Sequence, residues 1–176
     1  SQTSLLSLLV ATNQLESAQQ LIEKLREVDT FDQELLLVKA QVEKQQGKIT
    51  EAQKSLKMLF GLAYDEPTKL IKIASMQLDF NDLLAANKTI TRLAQLSDVP
   101  PYLSAQFALA SGDYAKSKQL IDANVDKQLT SASWQELHAY WHIAQESYLE
   151  AIAIIKPIYT QFQKRAHLQL LTQLYT

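Results

Sequence analysis

The sequence predicts an all-α fold, a stacked array of antiparallel helix pairs, with about five units followed by a C-terminal helix. Three observations predict it. A turn-forming position recurs every 34 residues at Asn13, Gly47 and Asn81, comes again after a shorter step of 31 at Gly112, and then 34 further on at Glu146. Small and large apolar residues keep fixed offsets from that position. The composition is helical: Leu, Ala, Gln and Lys abound, strand signals are scarce, and the only glycines are Gly47, Gly61 and Gly112. A period of this length marks helix pairs that bury their apolar faces against neighbouring copies.

The first pair is expected at about 2–12 and 15–28, with the apolar run Leu5, Leu6, Leu8, Leu9 and Val10 before Asn13. After Asn13, residues Leu15, Ala18, Ile22 and Leu25 follow at helical spacing. The second pair, 33–45 and 49–62, has Ala40 before Gly47 and Ile49, Ala52, Leu56 and Leu59 after it. The third, 68–79 and 82–95, repeats this with Ala74, Asn81, Leu83, Ala86, Ile90 and Leu93. Pro67 stands ahead of it, where one helix must stop and another start.

The stretch 97–101, with Pro100 and Pro101, is the strongest breaker and coincides with the short step. A kink or seam is expected there. The fourth pair, 101–110 and 114–125, carries Ala105, Gly112, Tyr114, Ser117, Ile121 and Asn124. The fifth, 132–144 and 148–162, carries Ala139, Glu146, Tyr148, Ala151, Ile155 and Ile158. Gly and Asn enter the left-handed backbone region most easily, so four of the five turn positions suit a tight helix–helix turn. Glu146 does not, and its turn is expected to be built differently or to carry strain. Pro157 is expected to bend the last long helix. A lone helix over 164–175 closes the chain, and Leu170, Leu171 and Leu174 suggest an uncapped or self-capping end. The whole of 1–176 reads as one repeat domain, a piece of a longer protein.

This alternation resembles the tetratricopeptide repeat family. The carrying residues are Gly112-Asp113-Tyr114 with Ser117 and Ile121, and Gly47 with Ile49, Ala52 and Leu56. The resemblance covers nearly the whole chain, although no unit has the family's Trp and the prolines are irregularly placed. It implies a right-handed α-α superhelix whose ligands lie along the first helix of each pair, on the concave side. Carried over position by position, the partner-binding residues are Leu37, Gln41 and Lys44 in the second pair. Ile71, Ser75 and Leu78 follow in the third, Tyr102, Gln106 and Leu109 in the fourth, and Glu136, Tyr140 and Ile143 in the fifth. The set is rich in amides and apolar groups and has no Lys/Arg cluster to clamp a carboxylate tail. Tyr102 and Tyr140 are its best anchors, because Tyr offers large contact area at modest entropy cost.

The remaining chemistry is sparse. With net charge −2 and mixed signs, no basic stripe suits a nucleic-acid backbone. No apolar stretch is long enough to cross a bilayer. There is no Cys, so disulfides and thiol chemistry are excluded while the compartment stays open. His138 and His142 share a helical face at the spacing of a metal pair, but a third ligand is lacking and His167 is distant in sequence. A packed helix face shared with Trp134 and Trp141 is the better reading. The carboxylate pairs Asp65–Glu66 and Glu146–Glu150 read as solvated surface. Asn87-Lys88-Thr89 spells a glycosylation sequon inside a helix, where chance is the default. No nucleophile elbow, phosphate loop, cofactor motif or metal site emerges. The expectation is a non-catalytic module that holds a protein or peptide partner in the concave groove. The alternative is a structural or oligomerisation segment of a larger regulatory or secretion-related protein, with a homodimer formed through the terminal helices.

Overall fold

The computed structural model describes residues 2–29, 31–124 and 132–175. Eleven α-helices and no strand occur among these residues. In order they are α1 (Gln2–Ala11), α2 (Leu15–Val28), α3 (Gln33–Gln45), α4 (Ile49–Leu62), α5 (Pro67–Asp79) and α6 (Leu83–Leu96). Then come α7 (Pro101–Ala110), α8 (Tyr114–Asp122), α9 (Ser133–Ala144), α10 (Tyr148–Phe162) and α11 (Arg165–Leu174). Backbone packing divides the chain into two compact units, 1–98 and 99–176.

The five turns explain the period. Asn13, Gly47, Asn81, Gly112 and Glu146 all have positive φ, between 56° and 82°. Each closes the same pair of hydrogen bonds. At Gly47, its own N–H reaches the Lys44 carbonyl (2.9 Å) and the Lys48 N–H reaches back to Glu43 (2.8 Å). At Glu146 the equivalents are Ile143 (3.0 Å) and, from the Ser147 N–H, His142 (2.9 Å). This is the Schellman arrangement, which satisfies the last carbonyls of the first helix and sends the chain back antiparallel. Glu146 therefore has the same turn as its counterparts, adopted by a residue with a Cβ, and it carries the strain that Gly avoids.

The small residues fall where the two helices of a pair touch. Ala40, Ala74, Ala105 and Ala139 on the first helices are wholly buried, as are Ala18, Ala52, Ala86, Ser117 and Ala151 on the second. Ser117 stays polar without cost because its hydroxyl donates to the Ala105 carbonyl at 3.1 Å. Large residues fill the space beyond. In the first unit Leu6, Ala18, Ile22, Leu35 and Val42 form one cluster. In the second, Ala105, Ile121, Trp134 and Leu137 form one, and Ala139, Ala151, Ile155, Ile158 and Leu171 belong to another.

Two pairs carry a matched polar contact in this interface. Ser55 donates to Glu43 in the second pair, and Thr89 to Gln77 in the third, both at 2.8 Å. The residues of each contact are twelve apart, and the two contacts occupy equivalent repeat positions. Lys39 joins the first by pairing with Glu43 and donating to Ser55 at 2.9 Å.

Helix limits follow local chemistry. Pro67 and Pro101 occupy the first turns of α5 and α7, where no N–H is needed. Asp32, Asp82 and Asp113 cap α3, α6 and α8 by accepting backbone N–H groups. α8 stops at Asp122, short of the expected 125, which itself lies outside the described residues. Asn124 Nδ2 donates to the Leu120 carbonyl at 2.8 Å, taking an acceptor that a continuing helix would use. α10 runs on through Pro157. Both Pro157 and Ala153, one turn earlier, are exposed, so the carbonyl released by the missing N–H faces water. α11 lies against α10, burying Leu171 and partly burying Leu170 and Leu174. Leu168 of the same helix is 46% exposed.

Candidate functional site

The expected binding residues belong to the first helices of the pairs, and the structure treats them unequally. In the first unit Leu37 is buried and belongs to the interior rather than to an open face. Gln41 is exposed. Lys44 is half-buried, pairs with Asp79 of α5 at 2.7 Å, and lies 5.4 Å above the Phe80 ring. Ile71, Ser75 and Leu78 are partly buried along α5. A second rung joins the same two helices, from Lys69 to Gln33, with Glu66 pairing to Lys69 at 2.7 Å. Hydrogen bonds from Lys69 and Gln33 hold the Glu66 carboxyl below its usual range. Asp65 pairs instead with Arg92. Each of these neighbouring carboxylates thus has its own basic partner, and they form no acid–base pair.

In the second unit Tyr102 meets Trp134 edge to face, with ring centroids 5.2 Å apart. Leu109 packs on the cluster containing Trp134, and Ile143 on that containing Ile155. Gln106 is partly buried, and its Oε1 is covered without a hydrogen-bond partner among the described residues. Tyr140 is the open member, 49% exposed. It borders a cavity of about 190 Å³ together with Glu136, Ile155, Lys164, His167 and Leu170. The Glu136 carboxylate takes His167 Nε2 at 2.6 Å and Lys164 at 3.4 Å. His167 is 4% exposed, and its Nδ1 is buried without a partner among the described residues. The structure therefore brings Glu136 and Tyr140 together with four residues of the α11 region, Lys164, Ala166, His167 and Leu170, that the sequence reading did not place in the binding set. The available signal was the helical register of α11 against α9, which the turn positions do not mark because α11 follows the last of them.

His138 and His142 approach through their Nε2 atoms at 3.2 Å, so one ring donates to the other. Trp141 meets His142 edge to face, and Lys118 lies 5.6 Å above Trp141. Among the described residues no group of three or more His, Cys, Asp or Glu is placed to hold a metal ion. Burial, then the neighbouring His142 and Lys118, push His138 below its ordinary 6.5, against a smaller opposing pull from Asp122. The unfolded chain therefore takes up this proton first, near pH 6.5. His138 contributes stability in full above that pH, and it is lost as the pH falls toward and through the lower native value. His138→Gln should flatten this part of the profile. Urea midpoints measured between about pH 8 and 5 would test it, and an unchanged slope would count against it.

A further concavity lies on the second helices of the first unit. α4 and α6 flank a trough of about 390 Å³ lined in part by Lys54, Lys57, Phe60, Leu84 and Lys88. A smaller cavity of about 210 Å³ continues past Phe60 and Lys88 to Tyr64 and Arg92. The sequence reading, confined to the first helices, did not include it. Lys54 and Lys88 are one repeat apart, and that was the available signal. Thr89 of the sequon-like triplet is 1% exposed, with its hydroxyl committed to Gln77.

Antiparallel pairs closed by equivalent left-handed turns, with small residues at each contact, define an all-α repeat solenoid of the tetratricopeptide type. A solved structure of a tetratricopeptide repeat protein from Parabacteroides merdae is similar to this chain, with a TM-score of 0.77 and 14% identity over 97% of this chain and 68% of that one. No family model matches the sequence, and none of the curated proteins matches it. No described helix is long and apolar enough to cross a membrane.

Proposed function

We propose that the chain is a non-catalytic interaction module that holds a peptide or helix of a protein partner along the first helices of its pairs. The observation that supports this best is in the second unit. There Tyr140, half-exposed, stands beside an open cavity whose walls offer apolar contact from the partly buried Leu170 and a charged anchor in Glu136. An aromatic rim over a partly desolvated cavity is the usual make-up of an energetic hot spot. Gln41 and Lys44 supply the corresponding polar contacts in the first unit. Leu37 supports α3 from within and does not touch the partner.

The test starts with partner capture from a lysate of the source cells, using wild-type protein and Tyr140→Ala. A partner retained by the first should bind the second at least about tenfold more weakly, about 1.4 kcal/mol. Hydrogen exchange on the complex should protect α9 and α11, or α3 and α5. Protection confined to the second helices would overturn this reading. A second reading, self-association, is favoured by Leu5 and Leu8 on α1, which are 48% and 58% exposed. Light scattering over a wide concentration range decides it: a strict monomer rules it out.

A further inference from the structure

The trough between α4 and α6 is a built feature of the first unit. Its two ends are tied. Gln53 of α4 donates to Asp82 at 3.3 Å, and Arg92 of α6 donates to the Tyr64 carbonyl at 3.0 Å while pairing with Asp65. Phe60 and Tyr64 stack edge to face at 5.5 Å, and Arg92 lies 4.0 Å above Tyr64. The aromatic wall is thereby fixed. Lys88 Nζ lies 5.4 Å above the Phe60 ring, where the two cavities adjoin. Leu84 projects from the opposite wall, 85% exposed.

The charges on this surface fall into two groups. Asp82 is already engaged, accepting the Ala85 N–H and Gln53, and Arg92 is engaged with Asp65. Lys54, Lys57 and Lys88 are exposed and set around apolar wall residues. A chain of net charge −2 thus concentrates three lysines around a strip containing Phe60, Leu84 and Ala85. Basic rim and apolar floor together select an occupant that is acidic on its flanks and apolar on one face.

We propose that this trough docks an acidic amphipathic helix of a partner protein. The helical form follows from the walls. Both are α-helices whose backbone groups are satisfied internally, so an extended peptide would find no ladder of hydrogen bonds. A helix brings its own bonds and needs only side-chain contact. α4 and α6 each have 14 residues, giving a seat of about 20 Å. The partner's carboxylates pair with Lys54, Lys57 and Lys88. Its apolar stripe covers Phe60 and Leu84 as the Lys88 side chain swings aside. A flat anionic membrane would meet the projecting Leu84 but would not fill the recess.

The probe is a synthetic helical peptide of 14 residues, the length of α4, with Leu at i, i+3, i+7 and Glu at the flanking positions. Its counterpart has Lys in place of Glu. Fluorescence anisotropy should show the acidic peptide binding, more weakly as salt rises, and the basic one not binding. The exposed triple change Lys54→Glu, Lys57→Glu and Lys88→Glu should weaken binding at least about tenfold. Leu84→Ser should weaken it severalfold. The same charge change at exposed positions elsewhere, Lys24→Glu, Lys72→Glu and Lys156→Glu, should leave it within about twofold. Circular dichroism checks that each variant is folded. Equal loss in the second triple, equal binding of the basic peptide, or no binding at about millimolar peptide would overturn the proposal. So would peptide-induced exchange protection on α3, α5 or α9 in place of α4 and α6. Binding of phosphatidylserine vesicles without binding of the peptide would replace it with a lipid site.

Discussion

Ala86→Leu is expected to lower stability by about 1–3 kcal/mol, and Ala52→Leu by a similar amount. Both alanines are fully buried, and each lies in a pair whose first helix contributes another fully buried alanine, Ala74 or Ala40. Two facing methyl groups let the helix backbones approach closely, and the added isobutyl branch has no space to enter. The helices cannot simply separate. The turn at Asn81 fixes them at one end, and the Thr89–Gln77 hydrogen bond at 2.8 Å holds them one turn beyond Ala86. Asn87→Leu is the control, since Asn87 is exposed on the same helix and should change stability by no more than about 0.5 kcal/mol. Urea denaturation of the three variants measures this. A neutral Ala86→Leu would mean that the two helices do not meet at this residue.

At the turns, equivalent positions should respond with opposite signs. Gly112 has φ 82°, and a Cβ placed on it would meet nothing within 4 Å. The cost of Gly112→Ala is therefore backbone strain alone, about 1–2 kcal/mol. Glu146 has φ 58° and already bears that strain, so Glu146→Gly should raise stability by about 1 kcal/mol. The gain is smaller than the corresponding loss because Gly also gives the unfolded chain more freedom. Glu146→Asn should fall between Glu and Gly. Thermal and urea midpoints of the three variants test the ordering. Destabilisation by Glu146→Gly would mean that the Glu146 side chain holds something the turn needs.

What the sequence made legible is what the turn geometry demands locally. Asn13, Gly47, Asn81 and Gly112 are residues that tolerate positive φ, so their spacing exposes the period directly. Glu146 shows the limit: the Schellman bonds to His142 and Ile143 impose the conformation on a residue that does not favour it. The alanines were legible because close approach admits little else. The candidate surfaces were less so. Leu37 and Tyr140 both occupy ligand-lining positions of the resembling pattern, yet one is buried and the other 49% exposed. Neighbouring helices decide that, and a single helix pattern does not encode them. The Glu136–His167 contact joins residues 31 apart, on helices of which the second follows the last recurring turn position, Glu146. Lys54, Lys57 and Lys88 look like an ordinary solvated face until Phe60 and Leu84 are seen between them.

The paired hydrogen bonds inside the second and third helix pairs bear on a hazard of repeated chains. Any first helix resembles any other, so during folding α3 could clasp a wrong second helix with little loss of apolar contact. The hydroxyls discriminate. Glu43 and Gln77 each accept a hydroxyl in the buried interface, and only α4 and α6 carry Ser or Thr at the matching place. The same place holds Leu21 in α2, Leu120 in α8 and Ile154 in α10. A mispaired α3–α8 would set leucine where Ser55 donates and leave Glu43 only Lys39 of its own helix, whereas α3–α6 would still offer a hydroxyl. These two contacts therefore act as an address, sorting helices into those that can and cannot be confused. They separate the second and third pairs from the other three, and leave those two open to confusion only with each other.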